Sequence, residues 1–251
     1  MLVQYSVQRG IARIALDSPR NRNALSAALV SSLTDALGSA ADDPAVRAVE
    51  LTHTGSTFCA GADLTEAADG GMASGTARLT ALMRRIVALP KPVVGSIDGH
   101  VRAGGLGLVG ACDIVLAGPA STFAFTEVRL GLAPAMISLT TLPRLDPRAA
   151  SRYYLTGAVF DAVEAARIGL VTEAVSDIDA GTVLVLDALR ACSPQGLRET
   201  KALLAGPMLD RFDARADALA ELSARLFGSA EAAEGMNAFL TKRTPSWTDN
   251  A

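Results

Sequence analysis

Two separated loops, Phe58-Cys59-Ala60-Gly61-Ala62-Asp63-Leu64 and Gly99-His100-Val101-Arg102-Ala103-Gly104-Gly105-Leu106-Gly107, each lie where a run that reads as strand turns toward one that reads as helix. Backbone N–H groups at a helix N-terminus are fixed donors, and small residues let another molecule come close enough to use them. Two such loops can aim two donors at one oxygen, which stabilises the negative charge that develops on a carbonyl during enolate formation. Polar side chains beside them extend the chemistry. His100 carries an imidazole and Arg102 suits an acidic group. Local hydrogen bonding or a subunit interface accounts for His100 and Arg102 more simply than a direct role, and Asp113 reads as structural at a helix-to-strand junction.

Further motifs follow the same order along the chain: Pro19-Arg20-Asn21-Arg22-Asn23-Ala24-Leu25, Ala111-Cys112-Asp113-Ile114, Phe123 to Pro134, Leu155-Thr156-Gly157, Gly169-Leu170-Val171, and Glu234-Gly235-Met236-Asn237-Ala238-Phe239 through Lys242-Arg243. Together with the two loops they resemble the crotonase, or enoyl-CoA hydratase/isomerase, superfamily nearly end to end. The resemblance implies an α/β fold, a right-handed spiral of ββα turns with a C-terminal helical extension that builds trimer contacts and helps close the active site. It implies an acyl-CoA thioester as substrate, with CoA part of the substrate and no separate cofactor, and a homotrimer or a hexamer formed as a dimer of trimers. Carried over residue by residue, it makes the N–H groups of Ala62 and Gly104 the oxyanion donors. Arg22, Ala24, Leu25, Ala60, Gly61, Asp63 and Leu64 become CoA contacts, with Arg20 and Arg243 as further cations suited to its phosphates. Phe239 and Lys242 are expected to serve CoA too, in the same or a neighbouring subunit, and His100, Arg102, Gly107 and Pro134 are candidates for the acyl pocket.

The departure from the family pattern is informative. Family hydratases use two glutamates, one in a Gly-Gly-Gly-Cys-Glu-type segment and one in a Phe-x-x-x-Glu segment. Aligning on Cys112-Asp113-Ile114 puts Gly107 at the first position, and aligning on Phe123 and Gly131 to Pro134 puts Glu127 at the second. Adding water to a conjugated double bond asks two groups to share water activation and proton delivery, whereas moving a double bond asks one base to take a proton from one carbon and return it to another. Glu127 alone fits isomerisation better than hydration, and both remain expectations. The competing class is a non-catalytic acyl-CoA-binding or interaction subunit that has lost the first glutamate.

The elements that must position these groups are legible in outline. Val3 to Val7 and Ile11 to Leu16 read as a hairpin about Arg9-Gly10, and Leu25, Leu29, Leu33 and Leu37 as a helical stripe ending near Asp42-Asp43-Pro44. Val46 to Thr52 and Pro92 to Ile97 read as strands feeding the two glycine loops, with a soft Ala/Gly-rich segment from Thr65 to Gly75 as a candidate cleft wall. Asp146-Pro147 and Ser193-Pro194 are helix starts, and Met208 to Thr241 is helical in composition. We expect a spiral core over residues 1–195 and the helical extension over 196–251.

A 251-residue chain with 50% hydrophobic residues can bury one sizeable core. A net charge of -3 without a basic run argues against nucleic acid. No segment reads as a membrane span or a leader, so a cytoplasmic protein is expected. Cys59, Cys112 and Cys192 are an odd set without metal-ligand spacing and read as reduced thiols, with no metal site.

Overall fold

The computed structural model describes residues 2–63, 66 and 72–248, with the backbone alone for residues 72 and 73. Strands β1 (Val3–Gln8) and β2 (Ile11–Leu16) pair antiparallel, and the turn residues Arg9 and Gly10 both take positive φ, 49° and 79°, as a two-residue connection between twisted strands requires. Helix α1 (Ala27–Asp42) follows. The Ser26 side chain caps it by accepting from the Leu29 N–H at 3.2 Å, and Leu29, Leu33 and Leu37 are fully buried.

Three strand pairs then repeat one move: β3 (Ala48–His53) with β4 (Thr57–Cys59), β5 (Val93–Ile97) with β6 (His100–Arg102), and β7 (Ile114–Ala117) with β8 (Thr122–Ala124). Two short strands complete the set, β9 (Phe160–Asp161) and β10 (Glu173–Ala174). The first member of each pair joins a six-stranded sheet of order β1-β2-β3-β5-β7-β10, and the second joins a four-stranded sheet of order β4-β6-β8-β9. Helix α2 (Met72–Ala88) returns the chain after β4, and α3 (Gly104–Ala111) after β6. This is the expected spiral of ββα units. From β2 through β10 the six-stranded sheet pairs in parallel, and its central strand β5 is buried along its whole length, as befits a sheet covered on both faces.

The remaining helices are α4 (Ser138–Thr141), α5 (Pro147–Thr156), α6 (Ala162–Arg167), α7 (Ile178–Ala191), α8 (Pro194–Phe227) and α9 (Ala230–Leu240). Asp146, Asp161, Asp177, Ser193 and Ser229 cap five of them through side-chain oxygens. The boundary expected at residue 196 falls in the first turn of α8. That helix is fastened to the core by Lys201, which is 4% exposed; its Nζ sits 2.8 Å from Asp113 Oδ2 and donates to the carbonyls of Ile86 and Lys91, each at 3.0 Å. Three donor protons meet three acceptors, so the buried ammonium is satisfied even though burial lowers its pKa. Asp113 also accepts the Val93 N–H at 2.7 Å, the structural role read from sequence.

Candidate active site

Asn23, completely buried, builds one edge of the site. Its side chain donates to the carbonyls of Thr57 (2.8 Å) and Thr54 (3.3 Å) and accepts the Ser18 N–H (2.7 Å), pinning residues 18–25 beside β4. The first glycine loop then runs along that segment, with Ala60 N–H donating to Arg22 O (3.1 Å) and Leu25 N–H to Gly61 O (2.8 Å). Gly61 has φ 93°, and a Cβ there would lie 2.9 Å from Ala103 Cβ and 3.4 Å from Gly104 N. The two loops therefore meet only because this residue is glycine.

Ala103, the N-cap of α3, holds φ 44° and ψ -120°, a strained conformation for a residue with a side chain. Its N–H donates to Ala124 O at 3.3 Å, so the neighbouring strand helps hold the strain immediately before Gly104. Among the described residues neither the Ala62 nor the Gly104 N–H meets an acceptor. Buried backbone donors are normally paired, and unpaired ones at a helix start suit an oxygen from outside the chain.

A cleft of about 700 Å³ runs past both donors and reaches Glu127. Glu127 stands in a 3-10 turn, Thr126–Leu130, closed by Gly131 at φ 70°; the N–H groups of Gly131 and Leu132 both donate to Glu127 O. Its side chain is 9% exposed, and Oε2 has no hydrogen-bond partner among the described residues. Burial pushes the carboxyl up to about 7, opposed by a hydrogen bond from its own backbone. Such a group is poised at neutral pH both to accept and to return a proton. Tyr154 of α5 lies close behind, its hydroxyl 2.5 Å from Thr141 Oγ1; burial, and then the charge of Glu127, raise its pKa, so it stays neutral.

Ala62, Gly104, Glu127, Arg22, Ala24 and Leu25 line the cleft, as do Ala60, Asp63, Arg102, Pro134 and Phe239. Arg20 and Arg243 also reach it. Gly61 lies where the two loops touch, and Leu64 lies outside the described residues, as does most of the soft segment from 65 to 75.

His100 and Gly107 are placed elsewhere, and Lys242 does not line this subunit's own cleft. Exposed His100 does not line the cleft; its Nδ1 is 2.8 Å from Thr122 Oγ1 on the adjacent strand. Lys242 follows the end of α9, where φ 55° turns the chain and leaves the lysine exposed, bringing Arg243 to the cleft instead. Arg243 is held there by a two-pronged pair with Glu234, both contacts at 2.6 Å. Gly107 is walled off: a Cβ on it would lie 2.5 Å from Met83 Sδ and 2.8 Å from Ile137 Cγ2. The guanidinium of Arg102 is tied to Thr122 on β8, donating to its O (2.7 Å) and Oγ1 (2.9 Å), and donates also to Val101 O (2.9 Å) on its own strand.

Sequence reasoning missed Leu79, Ile137, Ser223 and Phe227 as cleft residues. Ser223 and Phe227 are one helical turn apart on α8, a spacing that places them on one face. Among the described residues, the two carboxylates of the cleft besides Glu127 are less buried: Asp63 adjoins Ala62, and Glu66 accepts the Ala27 N–H and lies 3.5 Å from Arg78. His53 accepts the Asp98 N–H at 3.2 Å and burial lowers its pKa, so it serves as a neutral acceptor. Cys59 and Cys112 are buried with thiols pushed up to about 12, which keeps them protonated. Among the described residues no cluster of three or more metal-ligating side chains occurs, and no helix is long and apolar enough to cross a membrane.

The family model for enoyl-CoA hydratase/isomerase matches residues 6–250. The crystal structure of an enoyl-CoA hydratase from Mycobacterium avium is similar at TM-score 0.93 and 56% identity, covering 98% of each chain. The 2,3-dehydroadipyl-CoA hydratase of Escherichia coli is 32% identical over 96% of both chains. The mevalonyl-coenzyme A hydratase of Aspergillus fumigatus is 32% identical over 94% of this chain and 91% of its own.

Proposed function

Since the chain belongs to the enoyl-CoA hydratase/isomerase family, we propose that it moves the double bond of an enoyl-CoA, with Ala62 and Gly104 as oxyanion donors and Glu127 as the single proton-transfer group. The thioester oxygen accepts both N–H groups. Glu127 removes a proton from C2 of a 3-enoyl-CoA, the charge spreads to C4 as a dienolate, and the same carboxyl returns the proton to C4, giving the 2-enoyl-CoA. CoA enters as part of the substrate, and the step needs no separate cofactor.

The observation that carries this reading is the pairing of a buried Glu127 at about 7 with a filled Gly107 position. Where a hydratase would hold its other glutamate this chain has Gly107, and Met83 Sδ and the Ile137 side chain pack over it, so a side chain added there would have to displace them. Hydration of a 2-enoyl-CoA is the second reading, favoured by the names of the relatives. A non-catalytic acyl-CoA binder is disfavoured, because burying a carboxyl with an unpartnered oxygen costs stability that simple binding does not require.

Turnover of matched 2-enoyl-, 3-enoyl- and 3-hydroxyacyl-CoA compounds, followed by chromatography, tests the choice. Interconversion of the two enoyl isomers without 3-hydroxyacyl product is expected. Water addition as the main reaction would overturn the isomerase reading, and no turnover with saturable binding would favour the binder. We also propose a homotrimer or dimer of trimers, a reading supported by the exposed Leu184, Leu203 and Leu204 and checked by sedimentation equilibrium.

A further inference from the structure

Gly131 and Gly235 face one another across the joint between the Glu127 turn and α9. A Cβ on Gly235 would lie 2.6 to 2.7 Å from the backbone of Leu130, and one on Gly131 would lie 2.6 to 2.8 Å from the backbone of Glu231 and Ala232. Those obstacles are main chain, which cannot step aside as the far end of a flexible side chain can. The turn and the helix therefore touch backbone to backbone, from both sides.

The helix that presses on the turn is itself held firmly. Ser229 Oγ caps it by accepting the Ala232 N–H at 3.1 Å, and Ala232 and Ala238 are fully buried. The chain beyond is folded back by Glu234, which accepts from Arg243 at 2.6 Å twice and from the Ser246 N–H at 2.8 Å. From this helix and its continuation, Gly235, Phe239, Leu240, Arg243 and Pro245 line the cleft.

We propose that Gly131 and Gly235 are positioning residues for Glu127: main-chain contact with α9 fixes how deeply the carboxyl is buried and where it stands against the reacting carbons. This rests on the isomerase reading above. The ionisable groups on the surrounding elements include Arg129 on the turn, Arg148, Arg152, Tyr153 and Tyr154 on α5, Arg211 on α8 (which acts on Tyr154), Glu231 and Glu234 on α9, and Arg243 beyond it. Burial, not any of these, is the leading influence on Glu127. Loosening the joint admits water to the carboxyl, which relieves that burial and lowers its pKa toward 4.5.

The test compares Gly235→Ala and Ser229→Ala with the unaltered protein. The first wedges the joint open; the second removes the cap of α9 without adding bulk. Folding is checked by circular dichroism and thermal midpoint, and kcat, KM, the pH profile of kcat and the affinity for free CoA are measured. For Gly235→Ala, kcat falls by roughly tenfold to a hundredfold through misplacement of the base and the acidic limb of the profile moves to lower pH, while CoA affinity, which α9 and its continuation also serve through Phe239 and Arg243, falls by clearly less. Ser229→Ala moves the limb the same way by less. In a Glu127→Gln background, Gly235→Ala adds little further loss. An unmoved limb in both folded variants, or in Ser229→Ala should Gly235→Ala not fold, overturns the proposal; so does loss of kcat matched by equal loss of CoA affinity. Absence of isomerase turnover in the unaltered protein would instead refute the isomerase reading on which the proposal rests.

Discussion

Replacing Glu127 with glutamine should make the protein more stable at alkaline pH and leave its stability nearly unchanged in acid. Burial raises the carboxyl from 4.5 to about 7 in the folded chain, while in the unfolded chain it returns to the ordinary value. The folded state therefore holds the proton more tightly, so Glu127 contributes no penalty below pH 4.5 and a growing one as pH rises through about 7. A tenfold change in proton affinity is worth about 1.4 kcal/mol, so the full rise costs roughly 3 kcal/mol once the carboxyl is ionised. Glutamine keeps the shape and never ionises. Its own hydrogen-bonding cost is the same at both ends of the pH range and cancels when the two are compared. Thermal unfolding of both proteins at pH 4 and pH 8.5, at one protein concentration, measures the effect. For a chain of this length the midpoint difference should widen by roughly 6–12 °C between the two pH values. A difference that does not change with pH would mean that Glu127 is not buried as an acid with a raised pKa, and the argument for its catalytic state would fall with it.

Three further outcomes follow from the same geometry. Gly104→Pro deletes the proposed donor N–H and should lower turnover by roughly 100-fold to 1000-fold; a folded variant, checked by crystallography, with full activity would remove Gly104 from the oxyanion site. Gly107→Glu should destabilise the protein by at least about 1–3 kcal/mol through overpacking against Met83 and Ile137 and should not confer water addition, read by urea denaturation and product analysis. Arg22→Ala should weaken binding of a non-reactive acyl-CoA and flatten its salt dependence in calorimetry, since the exposed Arg22 lines the cleft; unchanged affinity and salt dependence would assign the phosphates to other cations.

The two glycine loops and Glu127 could be read from sequence because their requirements are local: a strand, a tight turn without side chains, a helix start. The helix caps at Asp146 and Ser193 were legible for the same reason. What filled the space at Gly107 was not legible, because Met83 arrives from α2 and Ile137 from the turn before α4, and their meeting depends on the packing of the whole core. The exchange of Lys242 for Arg243 at the cleft turned on one residue of positive φ after α9, at a lysine that nothing in its local sequence marks as a turn. The contact of α9 with the catalytic turn is likewise visible only in three dimensions, although Gly131 and Gly235 both stood within the family-like motifs. The alternation of strands between two sheets had no sequence signature of its own and came through the resemblance alone.

The central claim is that one carboxyl carries a proton between two carbons of the substrate. It is tested most directly by turning over a 3-enoyl-CoA deuterated at C2 in ordinary water and locating the label in the product by NMR. Deuterium appearing in part at C4 of the 2-enoyl-CoA, with that transfer lost in Glu127→Gln, is the expected result. A 3-hydroxyacyl-CoA as main product, or label transfer that survives in folded Glu127→Gln, would contradict it.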